Sequence, residues 1–244
     1  MYYLIKCHYF YAINFSVKTT TLLLSLFIFS LGGYSQQRIR QMLILGDSHL
    51  NGDFGEYLHK KLHETKRYDI YSIAIGGAGS RHFTMTMRNH CCGYKIRETC
   101  YGEEVVPKEK IRTVEKYAAG NNEIVGKAYK GQLKNVLSAV NPEIVVIALG
   151  NNYVNDHQTL VNMIKSQSPE TQIVWIGPLL RSNMEPRMTA INQVVKKNNL
   201  FLVRSDDLIG SDTLTSGHFY GKMAQNWAYK IAERMNAALY TPKK

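Results

Sequence analysis

Hydrophobic positions along the chain fall into two kinds of segment. Five short runs, at residues 41–45 (QMLIL), 69–75 (DIYSIAI), 143–149 (EIVVIAL), 172–176 (QIVWI) and 200–203 (LFLV), are rich in β-branched residues and have the length of strands. Several are apolar without alternation, the pattern of strands covered on both faces. Between and after them, apolar residues recur three and four apart, which predicts helices over 54–65, 128–140, 156–166, 188–198 and 221–239. Such alternation predicts an α/β protein, a three-layer α/β/α sandwich around a five-stranded parallel sheet. Ligands of such sheets bind beyond the carboxyl ends of the strands, so chemistry is to be sought in the residues that follow each strand.

Composition narrows the class without changing this picture. The chain has 244 residues, 45% hydrophobic and 20% charged, with 18 Gly and 6 Pro. These values exclude a collagen-like, low-complexity or disordered protein. No Pro- or Ser-rich linker divides the sequence, which predicts a single domain over 36–244. The net charge of +11 comes from scattered Lys and Arg rather than from a basic tail, a field that favours anionic partners.

The first 35 residues stand apart. They carry no acid, and their apolar run at 22–31 (LLLSLFIFSL) is too short to span a bilayer. Gly33 and Ser35 supply small residues at the minus-three and minus-one positions of a cleavage site, so residues 1–35 read as a signal peptide that leaves Gln36 first. The long aromatic stretch before Lys18 keeps an uncleaved anchor as the alternative. Loss of Lys6 and Lys18 leaves 28 basic against 19 acidic residues, a balance of +9. A secreted or periplasmic location permits disulfides. Cys91, Cys92 and Cys100 then allow one bridge, with either Cys91 or Cys92 pairing Cys100.

Four short motifs follow the expected strands and the last loop: Gly46-Asp47-Ser48-His49, Gly76-Gly77-Ala78-Gly79, Gly150-Asn151-Asn152 and Ser216-Gly217-His218-Phe219. A serine at a tight strand-to-helix turn has an exposed hydroxyl, and the first amides of the helix point toward a developing oxyanion. Leu50 stands where the G-x-S-x-G elbow of α/β-hydrolases needs Gly. In this order the four motifs resemble the SGNH (GDSL-type) hydrolase family, from about residue 41 to 227. The resemblance implies a flavodoxin-like α/β/α fold with Ser48 as nucleophile and His218 as general base. It further implies an oxyanion hole made by the Ser48 amide, the Gly77 amide and the Asn152 side chain. Gly76 or Gly79 replaces Gly77 if the loop register differs, and Asn151 competes with Asn152.

At the acid the sequence departs from the family's Asp-x-x-His pattern, because Thr215 occupies the position three before His218. Either Asp212 reaches His218 across a bulged loop at 213–217, or a backbone carbonyl orients the imidazole in a dyad. Asp206 and Asp207 are further alternatives.

Other chemistries fail on spacing. His82 stands where G-x-G-x-x-G needs its third Gly, and 120–127 has one residue too many for a P-loop, with Ala128 after it. The basic residues form no nucleic-acid patch. His59 and His63 have helical i, i+4 spacing but no well-spaced second pair, so neither metal nor cofactor is expected. The stretch at 81–126 is longer than an ordinary connection and reads as an insertion, either shaping substrate access or forming a surface excursion. Together these features predict an exported serine esterase acting on acetyl or short acyl esters. The expected substrate is an acylated small molecule or polysaccharide, anionic in keeping with the charge, with no membrane insertion after cleavage. A catalytically silent carbohydrate-binding protein and an acyltransferase using the same residues are the alternatives.

Overall fold

Along β1 (Arg40–Gly46), alternate side chains enter two different cores: Met42 and Ile44 on one face, Leu43 and Leu45 on the other. A strand buried on both faces needs a layer of helices on each side. The computed structural model describes residues 38–88, 93–100, 110–116, 130–152, 155–179, 185–209 and 217–240. The leader, Cys91, Cys92, Asp212 and Thr215 lie outside them. After β1 come α1 (Ser48–Asn51), α2 (Asp53–Glu64), β2 (Tyr68–Ile75), α3 (Ser80–Thr84), β3 (Thr86–Arg88), β4 (Tyr94–Cys100) and β5 (Lys110–Lys116). They are followed by β6 (Lys130–Gln132), α4 (Leu133–Val140), β7 (Ile144–Ala148), α5 (His157–Gln167), β8 (Gln172–Ile176) and α6 (Glu185–Lys197). The described chain closes with β9 (Phe201–Val203), α7 (Asp206–Ile209) and α8 (Gly221–Tyr240).

Strands β2, β1, β7, β8 and β9 lie side by side and parallel, the five-stranded sheet expected from the apolar runs. On one face, Phe54, Leu58 and Leu62 of α2 pack with Trp227, Ile231 and Met235 of α8. On the other, Leu133 and Leu137 of α4, Leu160 and Ile164 of α5, and Ile191 of α6 close the second core. The chain leaves β1 for β2 on one side and later returns to β7 on the other. The crevice at the carboxyl ends of β1 and β7 is therefore the topological switch point, where α/β sheets hold their ligands.

The sheet is wider than expected. β4 and β5, from the stretch at 81–126, add antiparallel to the β2 edge and make seven strands. Tyr94-Lys95-Ile96-Arg97 carries a charge at every second position and so reads as a solvated strand. Yet Lys95 is 6% and Arg97 2% exposed. Long stems allow it: Lys95 Nζ lies 3.7 Å from Glu56 Oε2, and Arg97 bonds backbone carbonyls. The helix expected from 128 starts only at Leu133, because 130–132 pairs with β3 instead and Gly131 disfavours a helical turn. Among the described residues no helix is long and apolar enough to cross a membrane.

Candidate active site

Where β1 ends, Gly46 and Asp47 are buried and Ser48 is half-buried at the start of α1. Asp47 caps this helix by accepting the His49 N–H at 3.0 Å. Gly46 is required for space rather than for an unusual backbone angle, since it is not in the left-handed region. A Cβ there would meet Leu50 Cβ at 2.5 Å. Leu50, which departs from the α/β-hydrolase elbow, is thus what makes the neighbouring glycine necessary.

His218 comes from the other end of the chain, and its Nε2 stands 2.8 Å from Ser48 Oγ. Two features hold it there. Trp227 of α8 stacks on Phe54 at 3.7 Å and meets the edges of His49 and Phe219 at 5.4 and 6.0 Å, while the His49 ring lies 4.6 Å from that of His218. Gly221, at φ +52, donates its N–H to Asp53 Oδ2 at 2.8 Å, which ties the start of α8 to the start of α2. Serine and histidine are thereby carried by segments bonded to each other.

The turn after β2 has Ala78 N–H bonded to Ile75 O at 3.1 Å with Gly77 at φ +75 in its third position, the arrangement of a type II turn. Gly77 is accessible; Gly76, Ala78 and Gly79 are buried. Gly150, after β7, has φ +135 and faces Ile191 and Pro178 with no room for a Cβ. The two asparagines that follow separate clearly. Asn151 donates its amide to Asp47 Oδ2 at 3.1 Å, whereas Asn152 donates to Ala78 O at 3.0 Å, beside Gly77. One of the two Asn152 amide hydrogens serves that bond, which fixes the plane of the other.

Beneath the turn, Ser80 Oγ lies 2.6 Å from His157 Nδ1, with both residues buried. Burial lowers the His157 pKa to about 4, so the imidazole is neutral. Its ring meets Trp175 edge-on at 4.9 Å, and Trp175 Nε1 donates to Leu149 O at 3.0 Å, just before Gly150. Burial pushes the Asp47 carboxyl up to about 6, against the lowering by the His49 N–H and the Asn151 amide. Its two oxygens link the helix that carries Ser48 to the β7 loop.

Ser48, Gly77, Asn152 and His218 therefore converge at the carboxyl ends of β1, β2 and β7. A hydroxyl within hydrogen-bond reach of an imidazole can be deprotonated as it attacks an electrophile. Asp212 lies outside the described residues. Among those described, no group of three His, Cys, Asp or Glu side chains could hold a metal ion. Sequence reasoning had Asp47 and His49 only as motif neighbours of Ser48, without a role, and overlooked Ser80, His157 and Trp227. Only Asp47 had a local signal, the capping position before a helix.

No family model matches the chain, and no curated protein matches it. Solved structures do. A carbohydrate esterase family 2 enzyme with its carbohydrate-binding domain, from Corynascus thermopiles (Myceliophthora fergusii), superposes with TM-score 0.50 and 16% identity over 82% of this chain and 66% of that one. A family two carbohydrate esterase from Clostridium thermocellum, in complex with cellohexaose, gives TM-score 0.48 and 15% identity over 82% and 64%. A carbohydrate acetylesterase from Sinorhizobium meliloti gives 0.48 and 12% over 82% and 100%. The chain spans just under two thirds of the first two proteins. The first likeness is one of fold: the chain shares the α/β/α fold of that carbohydrate esterase.

Proposed function

We propose that the protein is a serine esterase that removes acetyl or short acyl groups from carbohydrate. The observation that carries this reading is the 2.8 Å pairing of Ser48 Oγ with His218 Nε2 at the switch point of the sheet. Ser48 Oγ attacks the ester carbonyl carbon as His218 Nε2 takes its proton. The Ser48 and Gly77 amides and the Asn152 side chain hold the resulting oxyanion. The intermediate collapses, the C–O bond to the sugar breaks, and His218 returns the proton to the leaving oxygen. Water then gives a proton to His218 and attacks the acyl-Ser48 ester, which releases the carboxylic acid and restores the serine. In this reading Asp212 is the carboxylate that orients the imidazolium and offsets its charge, with a backbone carbonyl as the alternative.

Two features support the substrate class. Tyr220 is 65% exposed with its ring 6.3 Å from that of His218, a face on which the C–H side of a sugar ring stacks. A carbohydrate esterase also shares the fold. The signal-like leader makes the enzyme an exported one, secreted or periplasmic.

The test combines a fluorophosphonate probe, p-nitrophenyl esters of increasing acyl length, and acetylated polysaccharide with and without a free sugar acceptor. Labelling should map to Ser48, acetate should be released, and Ser48→Ala should lose both. Turnover unchanged in Ser48→Ala would reject the nucleophile, and acyl transfer to the acceptor in place of acetate release would make the protein a transferase.

A further inference from the structure

Helix α1 has four residues, too few to hold themselves in a helical turn, because the first turn of a helix costs more order than its bonds return. Its backbone bonds are Asn51 N–H to Asp47 O at 3.0 Å and Gly52 N–H to Ser48 O at 3.1 Å. The position of Ser48 therefore depends on what grips the helix from outside. At its start the grip is the Asp47 carboxylate. At its end it is Arg97 of β4, whose Nη1 donates to Leu50 O at 2.9 Å while Nη2 lies 3.3 Å from Asn51 O and 3.4 Å from Gly52 O.

Leu50 is also confined by steric walls. A Cβ on Gly55 would lie 1.8 Å from Leu50 O, and one on Gly46 would lie 2.5 Å from Leu50 Cβ. These close approaches can only push. The guanidinium pulls, and at Leu50, which is 1% exposed, a released carbonyl would have no water to turn to. A lysine places one ammonium where the guanidinium spans three oxygens.

We propose that Arg97 is a positioning residue for Ser48, holding the carboxyl-terminal carbonyls of the helix that carries it and making β4 part of the nucleophile's support. This deepens the esterase reading and rests on it for its activity readout. The stretch at 81–126 then acts on the reaction through the backbone of α1, whatever else it does at the surface.

The experiment uses the full-length protein and its Arg97→Lys and Arg97→Met variants. Three quantities are compared: kcat and KM for p-nitrophenyl acetate, the rate of fluorophosphonate labelling at Ser48, and amide hydrogen exchange at 48–52 against that of β7. Arg97→Met should lose on the order of 10²-fold in kcat, as expected when a reacting group is misplaced by about an ångström, with KM changed by less than about threefold. Labelling should slow in parallel, Arg97→Lys should be intermediate, and exchange at 48–52 should accelerate in both while β7 holds. Wild-type kcat and labelling in Arg97→Lys together with wild-type exchange at 48–52 would overturn the proposal, as would exchange that rises equally across the sheet. Should Arg97→Met fail to fold, Arg97→Lys decides alone. Absence of labelling at Ser48 in the unaltered protein would reject the esterase reading, and exchange at 48–52 would still decide the clamp.

Discussion

The Asn152 side chain donates to the carbonyl of Ala78 at 3.0 Å, so the loop after β7 and the turn after β2 share one hydrogen bond. That bond orients the amide beside Gly77. Asn152→Ala should lower kcat by about 10²–10³-fold, the usual cost of one oxyanion donor, with little change in KM. Steady-state kinetics on p-nitrophenyl acetate check this, and a wild-type kcat would remove Asn152 from the oxyanion hole.

The acid is a prediction from sequence alone. With Thr215 in the family's usual position, Asp212 is the carboxylate proposed to serve His218. Asp212→Asn should cost up to ~10⁴-fold in kcat if it does, and little if a backbone carbonyl orients the ring instead. Thr215→Ala is the control and should be nearly silent, since a hydroxyl carries no compensating charge.

Buried titratable groups set how stability responds to acid. The pKa values of His59 and His157 are lowered to about 3 and 4, chiefly by burial. Unfolded, each takes a proton near pH 6.5, so unfolding takes up protons below that value and stability falls as pH drops. Asp47 acts in the opposite sense: its folded pKa of about 6 exceeds the ordinary aspartate value of 3.8, so its contribution is present below that lower value and lost as pH rises through about 6. Between about pH 6 and 4 the two imidazoles outweigh the one carboxyl. Asp47→Asn should therefore steepen the acid loss in that window by about 1.4 kcal/mol per pH unit, one proton's worth. Urea unfolding at a series of pH values reads the slope; an unchanged slope would contradict the Asp47 assignment.

Ser80→Ala should destabilise the fold by about 1–3 kcal/mol, because it leaves Nδ1 of the buried His157 without its partner. The denaturation midpoint should fall with an unchanged m-value. Ser80→Thr, which keeps the hydroxyl, is the comparison that separates loss of the bond from change of volume.

The five parallel strands were legible because strands buried on both faces, such as 143–149, leave an unmistakable apolar run. Three of the four motifs stood out because each directly follows such a run; the fourth, around His218, lies in a loop well after the last one. β4 was not, since Lys95 and Arg97 mark a strand as solvated unless their distant partners, Glu56 and the carbonyls of Leu50 to Gly52, are already known. Pairing of 130–132 with β3 was hidden for the same reason: it depends on a partner more than forty residues away. The Ser80–His157 pair and the grip of Trp227 on His49 are likewise long-range, and single residues at those positions look like ordinary core. Gly46 is a subtler case: a glycine ahead of a tight turn suggests backbone freedom, whereas the structure uses its lack of a side chain.

Ser48 and His218 stand 170 positions apart, and the histidine reaches the serine only when α8 has docked through Trp227 on Phe54 and Gly221 on Asp53. Until α8 is seated, Ser48 is without the imidazole that stands beside it in the folded protein. Loosening of that one helix would silence the pair while the central sheet was still intact, as regions of a protein open at different free energies. The proposed esterase activity would then report the seating of α8 rather than melting of the whole molecule, and would disappear at a lower denaturant concentration than the circular dichroism of the sheet.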